Sequence, residues 1–316
     1  HHLVINKSEQ EKLDWLFRIE KVGRDVFGRR IEVEHLLRYF TAIRKSMEDD
    51  VYHRKVQPEF AGEGESAPSV RQLCMEVDII DAIQYMIIRA CEAPGEVHIY
   101  MDAFEQTIYA MQQMIREGGC SGRKQITCHQ FLTVERNPDL HGGVVGNLKT
   151  LQYIIPFSFS FRGKYEANYS YVSSNDPGQN FSLWPHYIVT EHHVLLLSDS
   201  GKNALLIEND RLAGGYIAEL QQMSGRCRLL FPFADDPEAS LACYAAAAAE
   251  SQPVCSYGFT PDAEEALCGE TDFGVQLYEP DRVFFFAREA EGVRCICAAE
   301  QGMYRVFLDY FESLEV

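Results

Sequence analysis

Between residues 96 and 156, segments with the two-residue spacing of a strand alternate with segments that have the spacing of a helix. This order limits the fold more than any other feature. Apolar residues alternate with polar ones at 96–101 and at 125–133, and they recur at helical spacing after Asp102 and at 140–155. Strands that alternate with helices pair in parallel, because the connecting helix returns across the sheet. The sequence therefore predicts an α/β fold of mixed sheets with crossover helices, in which Pro156 ends the second of these helices.

Residues 3–62 carry helical patterns without a strand signal. A capping box at Ser8–Glu11 predicts a helix over 8–22, and a second helix is predicted over 32–48. After a loop at 61–68, a third helix is predicted from Pro68 to about Ala90. We therefore divide the chain into an N-terminal helical segment for linking or dimerisation (3–62), an α/β sensor-like domain (69–230) and a smaller α/β C-terminal domain (231–316).

Aromatic residues are concentrated at 153–187, where 10 of 35 residues are Phe, Tyr or Trp. They alternate at Phe157–Phe161 and again at Tyr169 and Tyr171, which is the period of a strand. Two interpretations stay open. The aromatic side chains form the core face of a sheet, or they line a concave pocket with Arg162 and His186 as polar anchors.

A hairpin followed by a helix is predicted twice. The first comprises strands at 186–190 and 193–198, a further strand at 204–207 and a helix capped by Asp210. The second comprises a hairpin at 283–298 and a final helix at 303–314, after an alanine-rich helix at 235–250. The repetition is compatible with two duplicated halves, and the poor residue match leaves duplication open.

The charge of the chain is −18, and most of it lies in the last third. Residues 201–316 carry 8 Lys and Arg against 20 Asp and Glu, which is unfavourable for contact with nucleic acid. No apolar run approaches the roughly 18–20 residues of a membrane helix, and no signal peptide is evident. Ten scattered cysteines without a C-x-x-C pair are typical of a reducing compartment. We expect a cytoplasmic protein without membrane contact.

The motifs of catalysis and cofactor binding are missing from the sequence. There is no Gly-x-Ser-x-Gly, and the glycines at 142–146 do not have the spacing of a phosphate loop before Lys149 and Thr150. The neighbours His192 and His193 would point to opposite faces of a strand, as would Cys128 and His129, so neither pair holds a metal by itself. We predict no catalytic residue, no metal and no cofactor.

The stretch from His186 to Ser198, the strand at 204–207 and the helix from Asp210 resemble the closing hairpin and helix of phospholipase-D-like domains. They are also similar to the effector domains of TrmB-type, sugar-sensing transcription regulators. Residues 70–230 further resemble the C-terminal regions of bacterial helix-turn-helix regulators. The matching features there are a strand ending in Asp102, a Leu-rich helix ending at Pro156, a Tyr-rich strand and a Pro-Tyr hairpin. The resemblance implies a phospholipase-D-like fold and a sensing role.

Two departures limit what the resemblance implies. The phospholipase-D motif is His-x-Lys-x4-Asp, and the His-x-Lys in this chain, at His53 and Lys55, is followed by Phe60 where the family has Asp. The resemblance therefore implies no phospholipase chemistry. The residues also show no convincing helix-turn-helix, so DNA would be bound only through such an element not evident in this sequence.

The prediction is a non-catalytic, ligand-sensing effector module of a transcription regulator that forms a homodimer and binds a small molecule or a peptide. The predicted ligand-binding residues are Asp102, Arg162, Tyr169, Tyr171, Trp184 and His186. Two alternatives stay open. One is an enzyme built around Asp102, His129 and Arg162, and the other is an interaction scaffold whose acidic C-terminal third binds a basic partner.

Overall fold

The computed structural model of the chain describes residues 69–102, 126–135, 154–159, 163–172, 185–198, 200–258, 273–289 and 292–312, together with a few single positions. The predicted helices at 8–22 and 32–48 lie outside the described residues, as does most of the two crossover helices. The described part contains twelve strands in two sheets. The predicted mixed α/β fold is confirmed.

The elements follow one another along the chain in an order that separates the two sheets. The large sheet and its helices come first: β1 (Ser69–Leu73), α1 (Glu76–Glu92), β2 (Val97–Asp102), β3 (Ile126–Glu135), β4 (Lys164–Val172), β5 (His186–Val189), β6 (His193–Leu197), β7 (Ala204–Glu208), α2 (Asp210–Ser224) and β8 (Arg228–Leu229). The second group is α3 (Pro237–Glu250), β9 (Cys255–Gly258), β10 (Phe273–Tyr278), β11 (Arg282–Glu289), β12 (Gly292–Ala299) and α4 (Gln301–Glu312).

The large sheet has eight strands in the order β1-β7-β6-β5-β2-β3-β4-β8. Strands β2, β3 and β4 are parallel, with Tyr100 opposite His129 and His129 opposite Glu166. This confirms the predicted parallel core. The neighbouring pairs are antiparallel, so β2 lies where the direction of the sheet changes.

Helices cover both faces of the large sheet. On one face α1 buries Ile79, Ile83 and Ile87 in a core cluster that also contains Ile99 of β2. On the other face α2 packs Ala213 and Leu220 in a cluster with Tyr100 and Val189. Adjacent residues of β2 therefore point to opposite faces of the sheet and enter the two cores in turn, as the alternation at 96–101 predicted.

The second sheet has four antiparallel strands in the order β12-β11-β10-β9. Phe285 and α4 belong to the same core cluster as α1, whereas Phe284 and Phe286 pack with Tyr244 of α3. The predicted hairpin between β11 and β12 and the helix after it are confirmed. The predicted duplication and the domain boundary near residue 231 stay predictions.

The predicted helix from Pro68 to Ala90 is wrong in its first part. Residues Ser69–Leu73 form β1, whose five residues pair with β7, and α1 begins at Glu76. Val70, the second residue of β1, is 66% exposed. Pairing with a strand more than 130 residues away overrides the local helical spacing, and a local pattern does not contain that information.

The predicted strand at Phe157–Phe161 is also wrong. Helical structure continues across Pro156 to residue 159, and the amide of Phe161 donates to the carbonyl of Phe157 at 2.9 Å. The hydroxyl of Ser158 donates to the carbonyl of Ile154 at 2.6 Å. All three phenylalanines are buried. This helical segment therefore packs against the core on several sides, which accounts for the aromatic residues at every second position.

Two predicted helix starts are displaced by one or two residues. The side chain that caps α2 is Asn209, which accepts from the amide of Leu212 at 3.0 Å, and Asp210 is the first helical residue. Helix α3 begins at Pro237 after the cap Asp236. Either neighbouring polar residue suits a cap chemically, so the sequence does not separate them.

Candidate ligand-binding site

Two predicted site residues meet at the carboxyl end of β2. Asp102 is the last residue of β2, and its Oδ2 is directly hydrogen-bonded to Nδ1 of His186, the first residue of β5. Both side chains are largely buried. The residues directly after Asp102 lie outside the described part of the chain. The carboxyl end of a parallel strand, where the sheet changes direction, is a common place for ligand contacts in α/β proteins.

A hydrogen-bond network surrounds this pair. The amide nitrogen of the buried Gln130 donates to the carbonyl of Asp102 at 3.2 Å, and the hydroxyl of Tyr165 donates to Oε1 of Gln130. Burial, together with the negative charge of Asp102, raises the pKa of Tyr187. Both tyrosines are therefore neutral hydroxyls, and the network holds the end of β2 in place.

The predicted Tyr169 and Tyr171 form a second pair on β4, with ring centroids 5.6 Å apart. Tyr169 is 3% exposed and belongs to the main core cluster. The hydroxyl of Tyr171 donates to Oε1 of Glu300 at 2.7 Å, which links β4 to the start of α4. The aromatic side chains of β4 thus serve the core and the junction with the second sheet. Arg162 and Trp184 lie outside the described residues.

A row of titratable side chains crosses β2, β3 and β4. His129 Nδ1 lies 2.7 Å from Glu166 Oε2, and His129 Nε2 lies 3.1 Å from His98 Nδ1. Lys164 Nζ contacts the other carboxylate oxygen of Glu166 at 2.7 Å. The ring of Tyr100 stacks on His129 at 4.5 Å. Sequence reasoning included His129 in the enzyme alternative but missed its partners, which the register of the sheet provides.

The protonation states in this row follow from burial and charge. Burial lowers the pKa of His129, although the carboxylate of Glu166 opposes this. Burial alone would raise the pKa of Glu166, but the hydrogen bonds and charges of Lys164 and His129 outweigh it and lower the pKa. A neutral His129 that donates from Nδ1 to Glu166 accepts at Nε2 from His98. Hydrogen bonds thus connect the partly buried Glu166 through His129 to the exposed His98.

A cleft of about 580 Å³ opens between the end of α1, the start of β6 and the turn from β7 into α2. Its lining is strongly polar. The lining residues are Arg89, Glu92, Ala93, His192, His193, Glu208, Asn209, Asp210 and Arg211. The cleft includes none of the four predicted ligand-binding residues that the structure describes, and it includes the histidine pair that the sequence analysis considered only as metal ligands.

His193 is the most unusual residue of the cleft. Its side chain is 3% exposed, and among the described residues neither of its ring nitrogens has a hydrogen-bond partner. Its Nε2 lies 3.5 Å from Oε1 of Glu208, which is its register partner on β7. Burial lowers the pKa of His193 despite the charge of Glu208. A neutral imidazole that points Nε2–H at Glu208 leaves Nδ1 as a buried acceptor.

Several other polar groups of the cleft have partners. Arg89 Nη1 lies 2.9 Å from Glu92 Oε2, and His192 Nδ1 lies 3.0 Å from Asp210 Oδ1. Ser69, at the start of β1, donates its hydroxyl to Oε2 of Glu208 at 3.1 Å. The signals for this cleft in the sequence were the predicted helix start at Asp210 and the paired histidines. Nothing in the sequence placed the end of α1 beside them.

Within the described residues, no group of three or more His, Cys, Asp and Glu side chains has an arrangement that would hold a metal ion. Cys295 and Cys297 are buried on one face of β12. Burial raises the pKa of both thiols, so they remain protonated. No helix of the described part is long and apolar enough to cross a membrane.

Comparison with known proteins gives little. No family model matches the chain, and no curated protein matches it. Among solved structures the chain is similar to TrmBL2, an archaeal chromatin protein described as showing a novel mode of DNA binding. The match has 15% identity and a TM-score of 0.29, and it covers 71% of this chain and 70% of TrmBL2. A similarity of this size carries no argument about function.

Proposed function

We propose that the chain is a non-catalytic, ligand-sensing module of a transcription regulator and that its ligand binds in the cleft between α1 and α2. The observation that carries the proposal is the cleft itself, which meets the buried imidazole of His193, and neither ring nitrogen of this residue has a hydrogen-bond partner among the described residues. An unpaired buried polar atom costs about 1–3 kcal/mol. Both nitrogens are closed to solvent, so a ligand removes this cost only when a side chain of the cleft moves aside and the ligand forms a hydrogen bond with the imidazole.

The dimensions and chemistry of the cleft support a small molecule or short peptide as the ligand. Small-molecule sites commonly measure about 300–1,000 Å³, and the cleft lies in this range at about 580 Å³. Its lining contains charged and hydrogen-bonding groups from three separate parts of the chain. A ligand that contacts all three would fix the end of α1 relative to the start of α2.

A route from the cleft to the N-terminal part of the chain supports a regulatory role. Glu208 lines the cleft and also accepts the hydrogen bond from Ser69, where the chain enters the large sheet. A ligand that engages Glu208 changes the free energy of this contact. Such differential binding shifts the population between two arrangements of β1 and of whatever precedes it.

The regulatory part of the proposal depends on the resemblance of the hairpin and helix from His186 onwards to TrmB-type effector domains. The proposed regulator acts in the cytoplasm as a homodimer. DNA binding belongs to a helix-turn-helix element, for which this sequence shows no convincing pattern. The last third of the chain, with 8 basic against 20 acidic residues, is unsuited to that contact.

A thermal-shift screen tests the ligand site. The full chain is screened against sugars, nucleotides, amino acids and short peptides. A compound at 100 times its dissociation constant adds about 2.7 kcal/mol to the free energy of unfolding. We expect at least one compound to raise Tm in the wild type and in the control His98→Ala, but not in His193→Ala. A shift of equal size in His193→Ala would place the ligand elsewhere.

The row of His98, His129 and Glu166 supports the enzyme alternative, because it connects three acid–base groups by hydrogen bonds. Mass spectrometry of the bound compound after long incubation distinguishes the two functions. The sensor proposal predicts that the compound is recovered unchanged. If the wild type converts the compound into a product and His129→Gln does not, the chain is an enzyme and the sensor proposal is wrong.

A further inference from the structure

Three cysteine side chains lie close together where α3 packs on one face of the second sheet. Cys295 and Cys297 are two residues apart on β12, so both point to this face, and both are buried. Cys243 of α3 packs against the same cluster and is partly exposed. None of the three lines the cleft between α1 and α2. Their chemistry is therefore independent of the proposed ligand.

The pairing of the strands places Cys243 beside Cys297. Tyr244, the next residue of α3, packs edge-on against Phe284 of β11, with ring centroids 5.5 Å apart. Phe284 is the register partner of Cys297 on β12. The side chains of Cys243 and Cys297 are hydrogen-bonded to each other. Two sulfur atoms in hydrogen-bond contact need only a small movement to reach the S–S distance of about 2.05 Å in a disulfide.

The two thiols differ in exposure, and this difference determines which of them an oxidant reaches. Cys297 is 2% exposed, whereas Cys243 is partly open to solvent. Burial, together with the neighbouring Cys243, raises the pKa of Cys297, so this residue stays a protonated thiol at neutral pH. An oxidant in solution therefore reaches the sulfur of Cys243 first. When a second cysteine lies beside an oxidised one, the two condense to a disulfide.

We infer that Cys243 is an oxidation site for peroxides and that its oxidation leads to a disulfide with Cys297, which joins α3 to β12. The hydrogen bond between the two side chains favours Cys297 as the partner over the neighbouring Cys295. The inference goes beyond the proposed function and does not rest on it, because these residues lie outside the cleft.

The reaction has two steps. The thiolate of Cys243 attacks one oxygen of hydrogen peroxide, the O–O bond breaks, and the released hydroxide takes up a proton to become water, which leaves a sulfenic acid on Cys243. The sulfur of Cys297 then attacks the sulfur of Cys243 and loses its proton, the S–O bond breaks, and the hydroxyl leaves as a second water. Two thiols are oxidised by two electrons, and one peroxide is reduced to two waters.

The disulfide should stabilise the fold. It closes a loop that runs from Cys243 to Cys297 and contains β9, β10 and β11. A cross-link of this kind restricts the unfolded chain, so it raises Tm when the native geometry accommodates it. In a reducing compartment, thiol reductants open such a bond again. The expected behaviour is a reversible change in stability that follows the level of peroxide.

Peptide mapping of the full chain tests the inference. The reduced protein is exposed to hydrogen peroxide and denatured, its free thiols are alkylated, and the chain is cleaved after glutamate residues. This digest releases the peptide 239–250, in which Cys243 is the single cysteine, and the peptide 292–300, which contains Cys295 and Cys297. Fragmentation of the linked peptides in the mass spectrometer identifies the bonded cysteine in the wild type, so the assignment does not depend on the folding of any variant.

Two variants remove the proposed pair, and two serve as controls. Cys243→Ala and Cys297→Ala each delete one thiol of the pair. Cys295→Ala deletes the neighbouring thiol on the same face of β12, and Cys74→Ala deletes an exposed thiol outside the second sheet.

We expect peroxide to give the two peptides in linked form, two hydrogens lighter than their sum, within the monomer band of a non-reducing gel. The bond should connect Cys243 to Cys297, disappear with dithiothreitol, be absent in both pair variants and persist in both controls. Tm of the wild type should rise on oxidation and fall back on reduction. The absence of the link, with Cys243 still a thiol or oxidised to sulfinic acid, would overturn the inference, as would a link that persists in Cys297→Ala.

Discussion

The two sheets differ in what their side chains do. The large sheet contains several polar side chains with specific environments. Asp102 is hydrogen-bonded to His186 and His129 to Glu166, and His193 is buried beside the cleft. The four-stranded sheet is apolar on both faces, and every residue of β10 is buried. No histidine occurs in the chain after His193. The difference places the histidines and their acidic partners in the large sheet and an apolar core around the small sheet.

Polar contacts add to the shared core cluster in connecting the second sheet to the rest of the molecule. Arg294 of β12 donates to the carbonyls of Phe159 at 2.7 Å and Ala234 at 3.2 Å. Glu300, at the start of α4, accepts from Tyr171 of β4. Substitutions at these contacts test the comparison directly. If the second sheet only stabilises the fold, they should lower the free energy of unfolding and leave the ligand affinity of the folded protein unchanged.

Phe285→Ala should have the largest effect. Phe285 is fully buried on β11 and packs edge-on against Phe307 of α4, with ring centroids 5.5 Å apart. Removing a buried phenylalanine ring costs about 3–5 kcal/mol. Urea unfolding measures this loss, with the exposed Val254→Ala as a control that should change stability by less than about 0.5 kcal/mol. A loss of ligand affinity in the folded variant would contradict the division of roles.

Arg294→Met should reduce the free energy of unfolding by about 3 kcal/mol, because it leaves two buried carbonyls without their charged donor. The methionine retains most of the side-chain volume. Arg288→Met, at an exposed position of β11, serves as the matched control. Equal stability of both variants in thermal unfolding would show that the hydrogen bonds of Arg294 to the two carbonyls do not stabilise the fold.

Glu300→Ala should cost about 2 kcal/mol through the loss of a helix cap. The buried carboxylate of Glu300 accepts from the amides of Gly302 at 2.9 Å and Met303 at 2.7 Å as well as from Tyr171. Tyr171→Phe removes the link to β4 alone and should cost less. A Tyr171→Phe effect as large as that of Glu300→Ala would show that the link, and not the cap, dominates.

The smallest expected effect is a loss of stability at low pH, and the large sheet should lose its protection first. Burial lowers the pKa of His129 and of His193 below the ordinary value of 6.5. The unfolded chain therefore binds more protons than the folded chain as pH falls below about 6.5, so stability declines in that direction. Below about 4.5 the lowered pKa of Glu166 extends the decline.

Hydrogen–deuterium exchange at pH 7 and pH 5.5 locates this effect. Amides of β3 and β4 should lose protection at the lower pH, while those of β10 and β11 should change little. In His129→Gln the difference in β3 and β4 should become smaller. Loss of protection that begins in β10 or β11 would contradict the assignment of the titrating groups to the large sheet.

The sequence was most informative where the local pattern and the tertiary environment agree. The alternation before Asp102 predicted β2, because its odd-numbered and even-numbered side chains enter different cores. The hairpin from His186 and the helix after it were predicted for the same reason. The strands β1, β8, β9 and β10 were missed. The first three are short, and β10 is buried throughout, so it shows no alternation.

The candidate site was harder to predict because its residues come from distant parts of the chain. The contact of Asp102 with His186 joins two residues that the sequence analysis had selected, because both lie at strand ends. The cleft depends on Arg89 of α1 lying near His193 and Arg211. That proximity results from the order of strands in the sheet, and the order of strands is not encoded in any local spacing.

Hydrogen–deuterium exchange with and without the compound that the thermal-shift screen selects tests the central claim most directly. The claim is that the ligand occupies the cleft between α1 and α2. The account predicts that added compound protects the amides of 89–93 and 208–213 in the wild type, and that His193→Ala abolishes this protection. Protection confined to other segments, with the amides of the cleft unchanged, would contradict it.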